Sequence, residues 1–343
     1  MDRTSPLPVS SRAEPAGPLA SAATTTKKLA ARMLRDHHSV SKAVAAATER
    51  CGRTDWTDKI NRVRSYGQVA TVRLPADMSG RRPALALQTC RQGDNCATTV
   101  GRRGWQAFEP PMPDVFVGEC RASAGHVLDV GANTGFYSLV AVLANPELWV
   151  QAFEPVPYVA EILTANVRLN RLDGRVALQR SAVGTQDGSA TLHLPPRAAG
   201  VVETSASLSP DFKDAITERL EVAVRALDSW WGEVGQPPIG VIKVDVESRE
   251  LDVLRGAEQL VRRCRPVIFY ELLPQGDAAG LAAWAREREL VDIRLRPREA
   301  VVGDPPQFDP DAWNHMFVPV TALDPVVDRL RAAGLAITAA EAA

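Results

Sequence analysis

The chain reads as a doubly wound α/β fold, a mostly parallel sheet with helices on both faces, and three observations carry that reading. From His126 onward, apolar runs of strand character alternate with stretches of helical periodicity. A glycine-rich turn, Gly131 to Gly135, joins the first run to the first helix. Acidic residues recur where the apolar runs end, which is where a parallel sheet opens its ligand crevice.

With 343 residues, 45% apolar and 24% charged, the sequence is long enough for one large α/β domain and an N-terminal extension. The formal net charge of -1 provides no overall basic field, which argues against nucleic acid or an anionic membrane as an obligatory partner. Five cysteines, Cys51, Cys90, Cys96, Cys120 and Cys264, form no CxxC pair and read as reduced thiols rather than zinc ligands. Arg3 is not followed by an apolar signal core, and no run of about 18 apolar residues occurs. These features predict a cytoplasmic protein.

Residues 1–26, rich in Ser, Pro, Ala and Thr, predict a disordered tail, because they cannot bury enough apolar surface to offset ordering. Residues 27–112 form a variable arm able to cap a site. Lys27 to Arg50 has helical spacing (Leu29, Met33, Val40, Val44), with His37 and His38 on a solvated face. GQVATVRLP (Gly67 to Pro75) and PALALQT (Pro83 to Thr89) alternate like strands. The stretch GWQAFEPPMPDVFVGEC fits either a pocket wall, through Trp105 and Phe108, or simple packing.

The core spans residues 113–323. His126 leads into the first strand, and Phe136 to Ala144 forms the first helix. Further strands follow at Leu148 to Pro155, Arg175 to Gly184, Pro238 to Ser248 and Pro266 to Leu273, with helices at Tyr158 to Asn170, from Glu250, and at Leu281 to Glu289. Ser189 to Pro195 and Arg219 to Leu227 interrupt the alternation as a β-hairpin insertion, with Thr204, Ser205, Ser207 and Ser209 in its loop. Asp228 reads as a helix cap before the core residues Trp230 and Trp231. VDIRLRP and a final short strand, Asn314 to Val320, complete the sheet. Residues 324–343 read as an amphipathic helix with an Ala-rich tail.

Asp129, Glu154, Asp245, Glu247 and Glu271 end the strands, and an unpaired carboxylate is costly at a buried strand end, so together they predict one polar cleft. The glycine turn reads Asp-x-Gly-x-Asn-x-Gly rather than GxGxxG. A pyrophosphate disfavours an adjacent carboxylate, whereas a cofactor carrying ammonium and sulfonium groups favours one. Glu154, about twenty residues past the turn, is placed to accept from a ribose hydroxyl pair. The balance favours S-adenosylmethionine over NAD.

In order along the chain, DVGANTGFYSLVA, AFEPVP, RSAVG, VIKVDVESRELDVLRGAE and PVIFYEL resemble the FkbM-type family of S-adenosylmethionine-dependent methyltransferases, usually O-methyltransferases. The resemblance covers Pro113 to Val320. It implies a class I methyltransferase fold, Rossmann-like, with a seven-stranded mostly parallel sheet and a final antiparallel strand. It also implies methylation of a hydroxyl on a small-molecule acceptor such as a sugar or natural-product scaffold. Asp129, Gly131, Asn133, Thr134, Gly135, Glu154, Pro155, Ser181, Ala182 and Asp245 would hold the cofactor. One position departs from the family: its pattern reads DVEG, and Ser248 replaces that glycine, where φ > 0 is not cheap.

An alcohol must lose a proton as it accepts a methyl group, and a placed base contributes about 100-fold to 10,000-fold. The candidates are Asp245, Glu247 and Glu271, with Lys243 two residues before Asp245 on the same strand face. His193 and His315 are further candidates without a place, while His126 reads as structural. Two carboxylates on one face can also bind a divalent cation, which the chemistry does not require. Three readings stay open: an RNA or protein methyltransferase, a non-catalytic cofactor-binding module, and an NAD oxidoreductase. The last is disfavoured by Asp129 and by the missing fingerprint glycine.

Overall fold

The computed structural model describes residues 69–88, 95–194 and 218–339. The readings for residues 1–26, the Lys27 to Arg50 helices with His37 and His38, Cys51, Cys90 and the Thr204 to Ser209 loop lie outside them. The described residues all belong to one compact unit, Tyr66–Ala343.

The arm contributes an antiparallel hairpin, β1 (Val69–Arg73) and β2 (Ala84–Gln88), followed by helices α1 (Asn95–Arg103) and α2 (Met112–Ala122). Next come β3 (His126–Val130), α3 (Phe136–Ala144), β4 (Trp149–Phe153), α4 (Pro157–Leu169) and β5 (Val176–Gln179). The short strand β6 (Ala182–Val183) leaves the main sheet and pairs with the predicted hairpin, β7 (Gly188–Leu194) and β8 (Glu218–Arg225), as a separate three-stranded sheet. The chain continues with α5 (Leu227–Glu233), β9 (Ile239–Val244), α6 (Glu250–Arg255), α7 (Glu258–Cys264) and β10 (Val267–Glu271). It closes with α8 (Ala278–Arg286), β11 (Leu290–Arg296), β12 (Glu299–Val302), β13 (Asn314–Pro319), α9 (Leu323–Ala332) and β14 (Ala336–Ala339).

The large sheet runs β14-β12-β11-β13-β10-β9-β3-β4-β5. From β5 to β11 it is the expected class I methyltransferase arrangement. β3, β4, β5, β9 and β10 are parallel, and β13 is inserted antiparallel between β10 and β11. Two edge strands extend those seven to nine: β12 pairs antiparallel with β11, and β14 pairs parallel with β12. β14 occupies part of the Ala-rich tail, where the sequence reading placed no strand; its residues are mostly exposed and carry no apolar alternation.

Strand alternation divides the core between two faces. Val127, Val241 and Phe269 point to a cluster built with α2, α3 and α9, whereas Leu128, Ile242 and Ile268 point to one built with α5 to α8. Asp129, Lys243 and Glu271 follow Val127, Val241 and Phe269 at two-residue spacing, so they emerge on the α2–α3 face at the carboxyl ends of the strands. Strand order reverses between β3 and β9, and ligand crevices open at such a switch point.

Two helix readings are corrected. The periodicity from Glu250 onward predicts one helix, but α6 and α7 are separate. They meet at Gly256, where a Cβ would lie 2.0 Å from the Gly184 carbonyl oxygen. Asp228 sits inside the first turn of α5, and its carboxylate instead accepts from Gln259 N and Leu260 N, both at 2.9 Å, capping α7. Trp230 and Trp231 are buried as expected. Cys96, Cys120 and Cys264 are free of disulfides. Among the described residues no helix is long and apolar enough to cross a membrane.

Candidate functional site

The turn after β3 folds back over the end of β4, with Gly131 N and Ala132 N donating to the Phe153 carbonyl at 3.1 and 3.0 Å. Gly131 (φ 75) and Gly135 (φ 90) occupy left-handed backbone, with Asn133 (φ 52) between them. A Cβ on Gly131 would lie 1.8 Å from the Asp245 carbonyl oxygen, so both the conformation and the space require glycine there. Asn166, fully buried on α4, donates from Nδ2 to the Thr134 carbonyl at 2.8 Å. Its Oδ1 accepts from Gln88 N at 2.7 Å, tying the arm hairpin to this turn.

Glu154 follows β4 and closes the side of the turn. Its two carboxylate oxygens accept from Asn133 N and Val156 N, each at 2.9 Å. Burial outweighs those bonds and pushes its pKa up to about 7.

Beneath the turn, Asp129 is 1% exposed; its Oδ2 accepts from Ser138 Oγ at 2.6 Å, and its Oδ1 has no protein partner. Burial raises its pKa, and Lys243 opposes that shift. Asp129 and Lys243 are register partners across β3 and β9. The Lys243 ammonium donates to Asp245 Oδ2 at 2.8 Å and lies 4.8 Å from the centre of the Tyr137 ring. Burial opposes its charge, but the carboxylates of Asp245, Asp129 and Glu109 overcome that and raise its pKa.

These groups border a cavity of about 220 Å³. Phe108, Val130, Phe153, Val183 and Leu192 give it apolar walls, and Glu154, Pro155, Ser181 and Ala182 line the side beyond β4. Ser181 is fully buried and its hydroxyl has no protein partner. Glu109, Asp245, Glu247 and Glu271 gather at the ends of β9 and β10. Burial, followed by the charges of Asp245, Glu247 and Glu109, pushes the Glu271 pKa up to about 10. Glu109 (φ 45) accepts at Oε2 from the Tyr137 hydroxyl at 2.7 Å, and burial raises its pKa.

Of the residues expected around a cofactor, Gly131, Asn133, Glu154, Pro155, Ser181, Ala182 and Asp245 line the cavity, as do the candidate acids Glu247 and Glu271. Four expected residues do not. Asp129 is buried against Ser138, Gly135 caps the start of α3, Thr134 is buried with its carbonyl held by Asn166, and Lys243 is buried with its ammonium on Asp245. The expected five-acid cleft is therefore corrected: Glu109 takes the place of Asp129. His193 lies in β7, outside the lining. His315 is buried, with Nδ1 2.8 Å from Asp292 Oδ2 and its ring stacked on Tyr270. Among the described residues no three His, Cys, Asp or Glu side chains form a metal-ligand set.

Sequence reasoning missed Glu109, Tyr137 and Glu250. Glu109 sits within the aromatic-proline stretch, where Phe108 both lines the cavity and packs edge-on against Phe136 at 5.0 Å, whereas Trp105 is buried in packing against Phe136 at 5.6 Å and does not line the cavity. Glu250 looks like an ordinary acid in a first helical turn, yet it is 1% exposed and its carboxylate reaches back to Val246 and Ser248.

Residues 129–294 match the methyltransferase FkbM domain. Curated relatives include Methyltransferase 1 of Beauveria bassiana, 28% identical over 42% of this chain and 65% of its own length. The 31-O-demethyl-FK506 methyltransferase FkbM of Streptomyces tacrolimicus is 34% identical over 38% of this chain and 59% of its length. The hexuronic acid methyltransferase AglP of Haloferax volcanii is 32% identical over 41% of this chain and 53% of its length. The matches thus span 53% to 65% of these relatives. A solved methyltransferase FkbM from Methylobacillus flagellatus aligns with TM-score 0.40 and 15% identity, over 57% of this chain and 43% of that one. The similarity to the methyltransferase FkbM domain thus runs from the end of β3 into β11.

Proposed function

We propose that the protein is an S-adenosylmethionine-dependent O-methyltransferase acting on a hydroxyl of a small-molecule acceptor, such as a sugar or natural-product scaffold. One observation carries the reading: the Gly131 turn, closed by Glu154, opens into a cavity whose other end gathers Asp245, Glu271 and Glu109. The residues present fit the cofactor. Glu154 and Asp245 bring carboxylates to the cavity, and Ser181 Oγ is a buried polar atom in its lining without a protein partner.

Glu154, with each oxygen already fixed by one backbone N–H, has lone pairs left for a vicinal hydroxyl pair. Ser181 and Ala182, with Phe153, Val183 and Leu192, suit a flat base that carries polar edges. Gly131 and Asn133, which line the cavity above the buried Asp129 carboxyl, suit an ammonium group. When bound, the cofactor would supply a methyl group activated on a sulfonium.

At the acceptor end, the chain must hold a hydroxyl in line and take its proton. Asp245, held as an ion pair by Lys243, is the acceptor of that proton. Glu271 keeps its own proton at neutral pH and serves as a hydrogen-bond donor to the acceptor molecule. Phe108 and Glu109 let the arm cover this end and exclude water.

The test is transfer of a labelled methyl group from S-adenosylmethionine to a panel of sugars and hydroxylated natural products, with and without a chelator. Transfer to a hydroxyl that survives the chelator supports the proposal. Transfer confined to RNA or protein, or tight cofactor binding with no transfer to any acceptor, contradicts it.

A further inference from the structure

The loop from Asp245 to Arg249 supplies four cavity residues, Asp245, Val246, Glu247 and Arg249, yet its backbone is unfavourable for its sequence. Glu247 (φ 56) and Ser248 (φ 74) are adjacent non-glycine residues in left-handed conformation. Such outliers persist only where the surroundings over-determine them. Asp245 N donates to the Val130 carbonyl at 3.0 Å, and the Asp245 carbonyl lies against Gly131, where a Cβ would come within 1.8 Å. Any relaxation of the loop therefore moves the floor under the glycine turn.

Glu250 is what over-determines it. Its Oε1 accepts from Val246 N at 3.3 Å and from Ser248 N at 3.2 Å, on either side of the first strained residue. An ordinary first-turn acid is exposed and serves the N–H groups of its own helix. This one is 1% exposed and, besides its own N–H, bonds to two residues before its helix. It is also kept at a cost, because burial and the nearby Asp245 charge push its pKa up to about 7.

We infer that Glu250 is a positioning residue: by holding the Asp245 to Ser248 loop in its left-handed form, it keeps the Asp245 carbonyl seated against the Gly131 turn and so sets cofactor affinity. This rests on the cofactor reading above.

The experiment is calorimetric titration with S-adenosylhomocysteine of the full-length protein and three variants, Glu250→Gln, Glu250→Ala and Glu250→Ala with Ser248→Gly. The glutamine oxygen accepts the same two N–H groups, so Glu250→Gln is expected to bind within about twofold of wild type. Glu250→Ala is expected to weaken binding by about tenfold or more. Glycine holds φ 74 without help, so the double variant is expected to recover to within about threefold.

Wild-type affinity in Glu250→Ala, a tenfold loss in Glu250→Gln, or a double variant that stays weak would each overturn the inference. Should Glu250→Ala fail to fold, the double variant decides alone: folding with restored affinity supports the inference, and anything else overturns it. Failure of wild type itself to bind S-adenosylhomocysteine would instead remove the cofactor reading, and the inference with it.

Discussion

Two turns meet at the floor of the cavity and reach left-handed backbone by different means. The turn after β3 uses glycine at two of its positive-φ positions and Asn133, a tolerant residue, at the third. The loop after β9 uses Glu247 and Ser248 and depends on a buried carboxylate to hold them. The first conformation is written into residue type, the second into a tertiary hydrogen-bond pattern. Consequently the first turn is robust in its backbone and intolerant of a Cβ, while the second tolerates side chains and depends on a neighbour.

The sharpest way to break this comparison is Gly131→Ala. The new Cβ meets backbone oxygen, which cannot swing aside as a side chain would, and the φ penalty adds to the clash. We expect a loss of about 3 kcal/mol or more in stability, with S-adenosylhomocysteine binding lost, read by chemical denaturation and calorimetry. Near-native stability with intact binding would mean that the two turns are not in the contact described.

Next in size is Asp245→Asn, which keeps the shape of the second loop but removes the partner charge of Lys243. Turnover should fall by about 100-fold or more, while cofactor affinity changes far less, as separated by kcat and the cofactor KM. Full activity would remove Asp245 from the proton-transfer role.

Acidity gives a milder probe of the site as a whole. Glu154 and Glu250 are pushed up to about 7 by burial, and Glu271 to about 10. Each binds its proton more tightly folded than unfolded. The stability each contributes is therefore present below the ordinary glutamate range and is lost as pH rises through the folded value. The Tm of the ligand-free protein should accordingly fall between about pH 5 and pH 8, and Glu154→Gln should flatten that slope. A Tm that climbs across the interval would contradict the burial of these carboxyls.

The smallest effect is expected for Ser248→Gly alone, which gives the second loop the residue its backbone favours. It should stabilise the protein by about 1 kcal/mol or less, with little change in binding, because Glu250 already holds the conformation.

The same contrast explains what could be read from the sequence. β3, β4, β9 and β10 announce themselves by apolar runs that end in acids, and the β7–β8 hairpin by alternation, because those signals are local. Glu154 and Asp245 follow directly from strand ends. Glu109 does not: it reaches the cavity through Tyr137, a residue on another element, and no spacing encodes that meeting. Asp129 has the expected position in sequence, but it is buried against Ser138, in the first turn of α3, and stays out of the cavity lining. The break at Gly256 depends on the Gly184 carbonyl, far away in sequence, and the edge strands β12 and β14 gain their order from pairing rather than pattern.

Whether the Gly131 turn and Glu154 form one cofactor site is decided by calorimetric titration of wild type and Glu154→Ala with S-adenosylhomocysteine, with NADH as a control ligand. We expect one wild-type site for S-adenosylhomocysteine, none for NADH, and a loss of about 100-fold or more in Glu154→Ala, with the variant still folded. Preference for NADH, or equal affinity in the folded variant, would contradict it.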